Sequence, residues 1–326
     1  LYNIGVESAG ITKKDIVFDS NNSEMSEKIF NLFEIFPNQT IRYTIKISCY
    51  KKSSFDADLK IVNESLTTQT FSDLILLDNT ISLTKTKVGS EISDTDEGLI
   101  RDVDDFGETY YFRGNVNNNY VKLNDLYFRV VRINGDSTVR IVLNDVLDTQ
   151  YAYNTNLLGE NMSLGSLALL NNASISNALI DWFNNNLADY DNFVVSGNFC
   201  TDIDFPIAVN GDNYSSSYTR IYIDNSPSLK CSGSLYSNKV GLLSVDEIVY
   251  AGAYKRNSNS KYYLYNDNIN GHYLTSSSFF VNTSSTIAMM NVMSDGSLGD
   301  GVLINNLSYV RPVINISVNA KVKGKG

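Results

Sequence analysis

The sequence predicts a mainly β fold of the α+β class, in which the strands are short and the helices few. The clearest observation is the stretch 110–143, where apolar and polar residues alternate through several short runs. Turn residues separate the runs, and Asn134-Gly135-Asp136 holds the Asn-Gly pair typical of a tight hairpin. Such alternation is expected of an antiparallel sheet that buries one face. We therefore expect this stretch to form the core sheet of the larger domain.

Length and composition are those of a globular chain that is long enough for two domains. Of its 326 residues, 43% are apolar and 19% are charged. The net charge of −10 disfavours partners that need a basic face, such as nucleic acids and anionic membranes. In this acidic chain, we expect Arg113, Arg129 and Arg132 to pair with acids on neighbouring strands. No apolar run approaches the roughly 18 residues of a membrane span, and the start at Leu1 suggests a processed chain.

Residues 1–88 are predicted to form a small β-sandwich. Its clearest strand is 41–48, where apolar residues alternate with polar ones after a Pro-Asn turn. A short helix is expected from Asn22 to the turn at Pro37, and further strands are predicted at 59–62, 74–77 and 81–83. This pattern resembles the immunoglobulin-like or biofilm-fibre-type sandwiches of bacterial surface proteins.

Residues 89–109 are predicted to be an acidic linker and turn between the two domains. Eight of the residues from Glu91 to Glu108 are acidic. The alternative is a calcium site, for which the candidate ligands are Asp94, Asp96, Asp102 and Asp104. An EF-hand loop does not fit, because Phe106 stands where an oxygen ligand is required.

Two main helices are predicted within the larger domain, residues 110–326. The first begins near Ser174-Ile175-Ser176 and carries apolar residues on one face. The second follows the capping box formed by Ser244 and Glu247, and Gly252 is placed to end it. Asp246 and Glu247 could also be read as the paired acids of a glycosidase. Their place in the first helical turn favours a role in the cap and at the helix dipole instead.

The chain has three cysteines, of which Cys200 and Cys231 lie in turn-rich sequence 31 positions apart. We predict that they form a disulfide, worth roughly 3–4 kcal/mol by loop-closure entropy, and that Cys49 is left over. The alternative is three free, buried thiols in a cytosolic protein. With a single histidine and no C-x-x-C pair, a zinc site is not expected.

A series of short motifs runs in order along the larger domain. They are Asp104-Asp105-Phe106-Gly107, Tyr110 to Gly114, Asn117 to Lys122, Arg129 to Asp136, Asp181-Trp182-Phe183, Asn198 to Asp202, Ser226 to Cys231, Val240 to Glu247, Tyr262 to Tyr265, and Val310 to Asn315. As an ordered set, covering about 95–320, they resemble a family of surface proteins from low-GC Gram-positive gut bacteria.

The resemblance implies a secreted or cell-surface location and a Cys200–Cys231 disulfide. It also implies a fold similar to C-type lectins and formylglycine-generating enzymes. One segment departs from the pattern: Tyr273-Leu274-Thr275, followed by serines, stands where relatives carry an aromatic-Trp-Thr sequence and then Ser-Pro. A ligand specificity shared with those relatives is therefore not implied.

The candidate ligand-binding residues are aromatic. Tyrosines interleaved with Asn and Ser fill the loops of the larger domain, a composition similar to that of antibody paratopes. From these loops we select Tyr214, Tyr218, Tyr254, Tyr273 and His272; the alternative is that most of the tyrosines are half-buried strand residues. The single histidine has no Gly-x-Ser-x-Gly elbow to serve. No catalytic residue and no cofactor are therefore predicted.

The function predicted from the sequence is that of a non-enzymatic, extracellular surface or filament (pilus-like) component that displays the lectin-like module. The apolar N-terminal segment with Leu1, Tyr2, Ile4 and Val6 is expected to be free to add a strand to a neighbour's sheet. The tail 321–326 is expected to pair with an acidic surface. The expected partners are other copies or other surface-protein subunits. The runner-up is a monomeric adhesin for a host glycan or protein, and a formylglycine-generating-enzyme-like or hydrolase activity comes third.

Overall fold

The computed structural model describes residues 2–4, 13–17, 42–46, 70–82, 98–155, 170–200, 202, 204–205, 207–209, 212–281, 287–320 and 322–325. The chain divides into two compact units. The main unit contains Leu1–Gly5 and Thr68–Gly326, and the inserted unit contains Val6–Thr67. The inserted unit therefore interrupts the sequence of the main unit.

In the inserted unit, the structure describes two strands, β2 (Lys13–Val17) and β3 (Arg42–Lys46). They pair in parallel, with Lys13 opposite Arg42 and Val17 opposite Lys46. Strand β3 falls inside the alternating stretch 41–48 and confirms that part of the prediction. The predicted helix and the remaining predicted strands before residue 67 lie outside the described residues.

The main unit is built on a sheet in which eleven strands are described. At its centre, β6 (Gly107–Arg113), β8 (Leu126–Ile133) and β9 (Val139–Leu143) pair antiparallel. A tight turn joins β8 to β9, and the N–H of Asn134 donates to the carbonyl of Thr138 over 2.8 Å. The sheet buries Phe128, Val130 and Ile141 completely. The prediction that 110–143 forms the core sheet is confirmed.

One side of this sheet is extended by residues that the sequence had assigned to the linker. Strand β5 (Gly98–Asp104) pairs antiparallel with β6, and β4 (Ile81–Ser82) pairs in parallel with β5. Of the predicted linker 89–109, the residues from 98 onward therefore belong to the sheet. Their acidic residues differ in surroundings: Glu108 is about half exposed, whereas Asp104 is buried.

Helix α1 (Phe71–Asp78) lies where the sequence predicted a strand at 74–77, so that prediction is wrong. Thr70 caps the helix: its hydroxyl accepts from the Asp73 N–H, and the Asp73 carboxylate accepts from the Thr70 N–H. Phe71 and Ile75, one turn apart, are completely buried in the main hydrophobic core. A short apolar run fits either a strand or a buried helix, and here the capping box at Thr70 determines the helix.

The N-terminal strand β1 (Tyr2–Ile4) lies between two other strands of the same unit. It pairs in parallel with β7 (Tyr120–Leu123) and antiparallel with β22 (Val322–Lys325). The prediction that Tyr2 and Ile4 belong to a free segment is therefore wrong, because both residues are paired on two sides. The pairing also satisfies backbone groups at the edge of β7 that would otherwise lack a partner strand. The tail residues 322–325 form a strand as well, while Leu1 and Val6 lie outside the described residues.

The two predicted helices are both present. In α2 (Ser174–Leu187), the residues Ile175, Leu179 and Phe183 face the core, although the N-cap is Ala173 and no side chain caps it. Helix α4 (Val245–Ala251) is buried along its whole length and carries the predicted Ser244–Glu247 capping box. Gly252, at φ 132°, ends it in a backbone conformation that favours glycine.

The other strands of the main unit complete its edges and form smaller sheets. A five-stranded sheet runs β13-β14-β17-β18-β19, and two pairs are formed by β10 with β20 and by β12 with β15. In chain order, the strands that remain to be given are β10 (Tyr151–Ala152), β11 (Val194–Val195), β12 (Gly197–Cys200), β13 (Ile207–Val209), β14 (Asp212–Tyr214), β15 (Leu235–Asn238), β16 (Val240–Gly241), β17 (His272–Val281), β18 (Ile287–Met293), β19 (Val302–Leu303), β20 (Leu307–Ser308) and β21 (Val313–Ile316).

The described part of the chain is mainly β, with several sheets and few helices, which confirms the coarse fold prediction. Among the helices described, none has the length and apolar character required to cross a membrane.

Candidate functional site

Three tyrosines lie together at the end of strand β14 and along the short helical segment, residues 216–223, that follows it. The segment begins as α3 (Ser216–Tyr218) and continues as a π-helical turn over Thr219–Ile223. Ser215 caps it by accepting the Tyr218 N–H over 3.1 Å. The hydroxyls of Ser215 and Ser217 donate to the Ser278 carbonyl over 2.7 and 2.8 Å. These bonds hold the segment against strand β17.

The rings of Tyr214, Tyr218 and Tyr222 form what we call the tyrosine row. The Tyr214 and Tyr218 ring centroids are 4.3 Å apart, and those of Tyr218 and Tyr222 are 5.2 Å apart with an interplanar angle of 14°. The buried ring of Phe279 lies against all three in edge-to-face geometry, at 5.1–6.0 Å. The row is therefore a packed aromatic cluster, and its three tyrosines are half-buried.

Both ends of the tyrosine row are covered. Phe280 packs against Tyr214 at 5.8 Å. At the other end, the Arg256 guanidinium lies 5.3 Å from the centre of the Tyr222 ring. Arg256 also bonds to Asp300 over 2.7 Å in an exposed pair, and this hydrogen bond raises the pKa of Arg256. These contacts occupy part of the ring surface, and the three tyrosines remain half-buried.

The hydroxyls of the row differ in their surroundings. The Tyr222 hydroxyl donates to the Gly299 carbonyl over 2.7 Å, and burial raises its pKa. Burial also raises the pKa of Tyr214. For the hydroxyls of Tyr214 and Tyr218, no hydrogen bond is seen within the described residues. Both side chains are half-buried, so these two hydroxyls are placed to bond a partner.

Two of the five predicted binding residues, Tyr214 and Tyr218, thus lie together. Tyr254 is half-buried, and its carbonyl accepts from the Leu298 N–H over 3.2 Å. The prediction for Tyr273 is wrong, because this side chain is only 3% exposed and packs 5.1 Å from the Arg311 guanidinium. It lies on β17, whose residues are almost all buried, so no ligand reaches it.

His272 lies at the start of β17, and its Nε2 is 2.9 Å from the Ser308 hydroxyl. Burial lowers its pKa, so the imidazole is neutral near pH 7. This bond joins β17 to β20, and His272 does not belong to the tyrosine row. Tyr222 and Phe279 were missed as members of the site. Tyr218 and Tyr222 are four residues apart, a helical signal that could have identified this pair, whereas Tyr214 precedes the helical segment on strand β14.

A second cluster of functional groups, which we call the charge cluster, is buried beside the disulfide. Arg132 donates to Asp104 over 2.6 Å and to Glu247 over 3.1 Å, and Arg140 donates to Glu247 over 2.6 Å. All four side chains are at most 9% exposed. Glu247 is therefore bound by two guanidinium groups, which join strands β8 and β9 to helix α4.

The charge cluster continues through Arg220, which binds Asp202 and Asp246. The Arg220 Nη2–Asp246 distance is 2.7 Å, and the Asp246 carboxylate also accepts from the Ser228 N–H over 2.9 Å. The cluster thus contains three arginines and four carboxylates. One negative charge remains in excess when all are ionised.

The pKa values of two neighbouring acids in α4 move in opposite directions. Burial raises the pKa of Asp246, and Arg220 only partly offsets this. Burial would raise the pKa of Glu247 too, but Arg140 and Arg132 outweigh it and the pKa is lowered. Burial also lowers the pKa of Arg140. Glu247 is therefore favoured as a carboxylate, whereas Asp246 binds a proton at a higher pH than an exposed aspartate does.

The arginine prediction is confirmed for Arg132, which binds Asp104 on strand β5. Arg113 donates to the Val249 and Tyr250 carbonyls, at 3.0 and 3.1 Å. Arg129 donates to Asn119 and packs over the Tyr120 ring at 3.8 Å. Among the described residues, the expected acid partner of Arg129 is wrong, because amide, carbonyl and ring groups contact its guanidinium group.

The predicted disulfide is present between Cys200 and Cys231, whose Cα atoms are 5.4 Å apart. It joins the end of β12 to the loop before β15. The charge cluster and the disulfide line a cleft of about 40 Å³, which is room for a few water molecules. Cys49 lies outside the described residues.

The calcium candidates divide between the described and undescribed parts of the chain. Asp104 binds Arg132 and the Gly135 N–H, the latter over 2.9 Å. Asp102 accepts from the Tyr250 hydroxyl over 2.9 Å. Asp94 and Asp96 lie outside the described residues. Within the part of the chain that the structure describes, no three His, Cys, Asp or Glu side chains are grouped as metal ligands.

Comparison of the chain with protein-family models, with curated proteins and with solved structures finds no match. What the site does must therefore be argued from its geometry.

Proposed function

We propose that the protein is a non-enzymatic component of an extracellular bacterial surface and that it displays the main unit. The observation that carries this proposal is the Cys200–Cys231 disulfide. Disulfides form and persist in oxidising compartments and are rare in the cytosol. The bridge also anchors two loop-like segments, as expected of a module that works outside the cell.

The charge cluster supports a structural role for the main unit. Its carboxylates, Asp104, Asp202, Asp246 and Glu247, each bind an arginine of the same cluster. Through these bonds, helix α4 is connected to the sheet and to the loops near the disulfide. Groups that are held in this way fix the relative positions of the elements that carry them.

The proposal extends to a lectin-like arrangement for the main unit. Its support is the mainly β architecture with helices α2 and α4, together with the disulfide between loop segments. For the N-terminal part, the proposal of a β-sandwich rests on the alternating stretch 41–48, of which β3 is described. In this proposal, the sandwich attaches the module and the lectin-like unit faces outward.

The test uses the organism that makes the protein. Intact cells are treated with a membrane-impermeant amine label, and thiols are blocked during lysis with an alkylating reagent. The expected result is a labelled protein in which Cys49 is alkylated and Cys200 and Cys231 are not, unless a reductant is added. An unlabelled protein with Cys200 and Cys231 both alkylated would overturn the proposal.

A second candidate function, that of a monomeric adhesin, is favoured by the tyrosine row. Tyr214 and Tyr218 present ring edges and hydroxyls at a half-buried surface. The Tyr218 and Tyr222 rings stack on each other and Arg256 packs over the Tyr222 ring, so these contacts occupy ring faces on which a sugar could stack. This geometry favours a protein ligand, which tyrosine edges and hydroxyls contact in paratopes, over a glycan.

The adhesin candidate is tested on arrays of host glycans and of extracellular-matrix proteins. The variant Tyr214→Phe/Tyr218→Phe keeps the rings and removes the two hydroxyls. We expect binding to a matrix protein, with an affinity that falls roughly fivefold per hydroxyl, since a hydrogen bond contributes about 1 kcal/mol. The control is Tyr127→Phe on strand β8, where the side chain is 49% exposed. Equal binding by all three proteins, or binding to no probe, would contradict this role.

A further inference from the structure

Strand β1 is the connection between the C-terminal strand and the rest of the main sheet. β22 pairs with β1 and with no other described strand, whereas β7 pairs with β1 on one edge and with β8 on the other. Removing β1 would therefore open the edge of β7 and leave β22 without a neighbour. The position between β7 and β22, which we call the β1 site, must be filled for the sheet to be complete.

The β1 site is well defined on the side of β7. Tyr2, Asn3 and Ile4 lie opposite Val121, Lys122 and Leu123 in a parallel register. Val121 and Leu123 are completely buried in the main core, while Lys122 is half-buried and bonds to Asp125 over 2.7 Å. The site is thus part of the folded unit, and it holds three residues of a specific sequence in a specific direction.

The strand that fills the β1 site is short and has a long connection to the rest of its unit. β1 has three residues, and residues 5–70, which contain the inserted unit, separate it from helix α1. Most connections between neighbouring elements are only a few residues long. The inserted unit is compact, so the ease of exchange follows from the strand itself: three residues are held by few backbone hydrogen bonds, and exchange of an identical element between copies costs little. A strand from another copy is therefore a realistic competitor.

We propose that, when copies of the protein are concentrated on a surface, β1 of one copy fills the β1 site of another. The occupant is a second copy of this chain, because that copy carries the same residues 2–4 and makes the same pairs with β7 and β22. Reciprocal exchange gives a closed dimer, and one-way exchange gives an open chain of subunits. This inference rests on the proposed surface function, for which it supplies the self-association.

The test uses cysteine pairs in the full-length chain with Cys49 replaced by serine, so that Cys200 and Cys231 remain paired. Asn3 and Lys122 are register partners across β1 and β7, and partners on neighbouring strands are close enough for a disulfide. One protein carries Asn3→Cys and a second carries Lys122→Cys. The two are unfolded separately, mixed, refolded at a series of concentrations and oxidised.

Exchange predicts a disulfide between the two proteins, seen on a non-reducing gel, whose yield rises with the concentration during refolding. In the chain that carries both Asn3→Cys and Lys122→Cys, exchange predicts interchain ladders at high concentration and intrachain bonds at low concentration. A double variant that is linked within each chain at every concentration, with no bond between the mixed proteins, would overturn the proposal. Absence of any cross-link would overturn it too, since β1 would not occupy its site.

The matched control is the pair Val103→Cys and Glu108→Cys. These residues are register partners in the β5–β6 hairpin, where a tight turn joins the two strands. We expect this pair to link within one chain, and the mixed single variants to stay unlinked. If this control formed interchain disulfides to the same extent as the Asn3→Cys/Lys122→Cys protein, the cysteines would be oxidising at random. The interchain ladders would then not be evidence of strand exchange. If the protein is labelled on intact cells but stays monomeric in the cross-linking test, the proposed surface function stands and strand exchange is contradicted.

Discussion

Arg140 and Glu247 lie 107 positions apart in the sequence, yet Arg140 Nη1 donates to Glu247 Oε1 over 2.6 Å and both side chains are 4% exposed. The same oxygen accepts from Arg132 Nε over 3.1 Å. The other oxygen, Oε2, accepts from the Ser244 N–H over 3.0 Å and so caps helix α4. One carboxylate thus serves as a helix cap and as the counter-ion of two strand arginines.

The first prediction is that Glu247→Gln destabilises the main unit. Glutamine keeps an oxygen for the helix cap, but it leaves Arg132 and Arg140 with one buried carboxylate fewer. Removing one partner of a buried ion pair costs about 3–5 kcal/mol, because the other charge stays buried. We expect the free energy of unfolding in urea to fall by that amount.

The control for this prediction is Glu108→Gln. Glu108 bonds to Arg101 over 3.1 Å, but both side chains are about half exposed, at 49% and 48%. Exposed pairs contribute at most about 1 kcal/mol. If the two variants lost the same stability, burial would not be what makes the Glu247 carboxylate important.

The second prediction concerns pH. The pKa of Glu247 is lower in the folded protein than its ordinary value, because Arg140 and Arg132 outweigh burial. Its carboxylate therefore stabilises the fold above the pKa of the unfolded chain, and this contribution is lost as the pH falls through the folded pKa. The difference in unfolding free energy between the wild type and Glu247→Gln should shrink from about pH 7 to about pH 3.

Asp246 should behave in the opposite sense. Burial raises its pKa in the folded state, so its contribution is present below the unfolded pKa and is lost as the pH rises through the folded pKa. The difference in unfolding free energy between the wild type and Asp246→Asn should therefore grow as the pH falls over the same range. Urea unfolding at several pH values measures both variants. If the two differences in unfolding free energy changed in the same direction with pH, the opposite pKa shifts of Asp246 and Glu247 would be contradicted.

Local sequence signals predicted those parts of the fold whose structure is determined locally. The hairpins of 110–143 follow from alternation and turn residues, and helix α4 follows from the Ser244–Glu247 capping box. Helix α1 was mistaken for a strand because Leu74–Leu77 is too short to show a helical period, and the Thr70–Asp73 capping box was overlooked.

The parts that could not be predicted depend on contacts distant in sequence. The Arg132–Glu247 and Arg140–Glu247 pairs join residues more than a hundred positions apart, and no local pattern shows which acid meets which arginine. Tyr273 looked like a loop tyrosine, yet it lies on the buried strand β17. The tyrosine row was found in part, because composition marks the tyrosines but only the fold brings Phe279 against them.

The third prediction is that the disulfide stabilises the main unit. Cys200 and Cys231 close a loop with a sequence separation of 31, and the entropy of that closure in the unfolded chain corresponds to roughly 3–4 kcal/mol. The variant Cys200→Ser/Cys231→Ser should lose this amount in urea unfolding. Cys49→Ser removes a thiol that takes no part in the bridge and should leave the main unit's transition unchanged. A loss below about 1 kcal/mol in the double variant would contradict the entropic account.

The fourth prediction separates stability from binding within the tyrosine row. Tyr222→Phe removes the 2.7 Å hydrogen bond to the Gly299 carbonyl and should lower the unfolding free energy by about 1 kcal/mol. Tyr218→Phe keeps the stacked ring, and within the described residues its hydroxyl bonds to nothing. It should therefore change stability by less than about 0.5 kcal/mol. In a binding assay on the matrix-protein array, we expect the opposite ranking: Tyr218→Phe should lose more affinity than Tyr222→Phe. A stability loss in Tyr218→Phe as large as that in Tyr222→Phe would show that the Tyr218 hydroxyl serves the fold and is not available to a ligand.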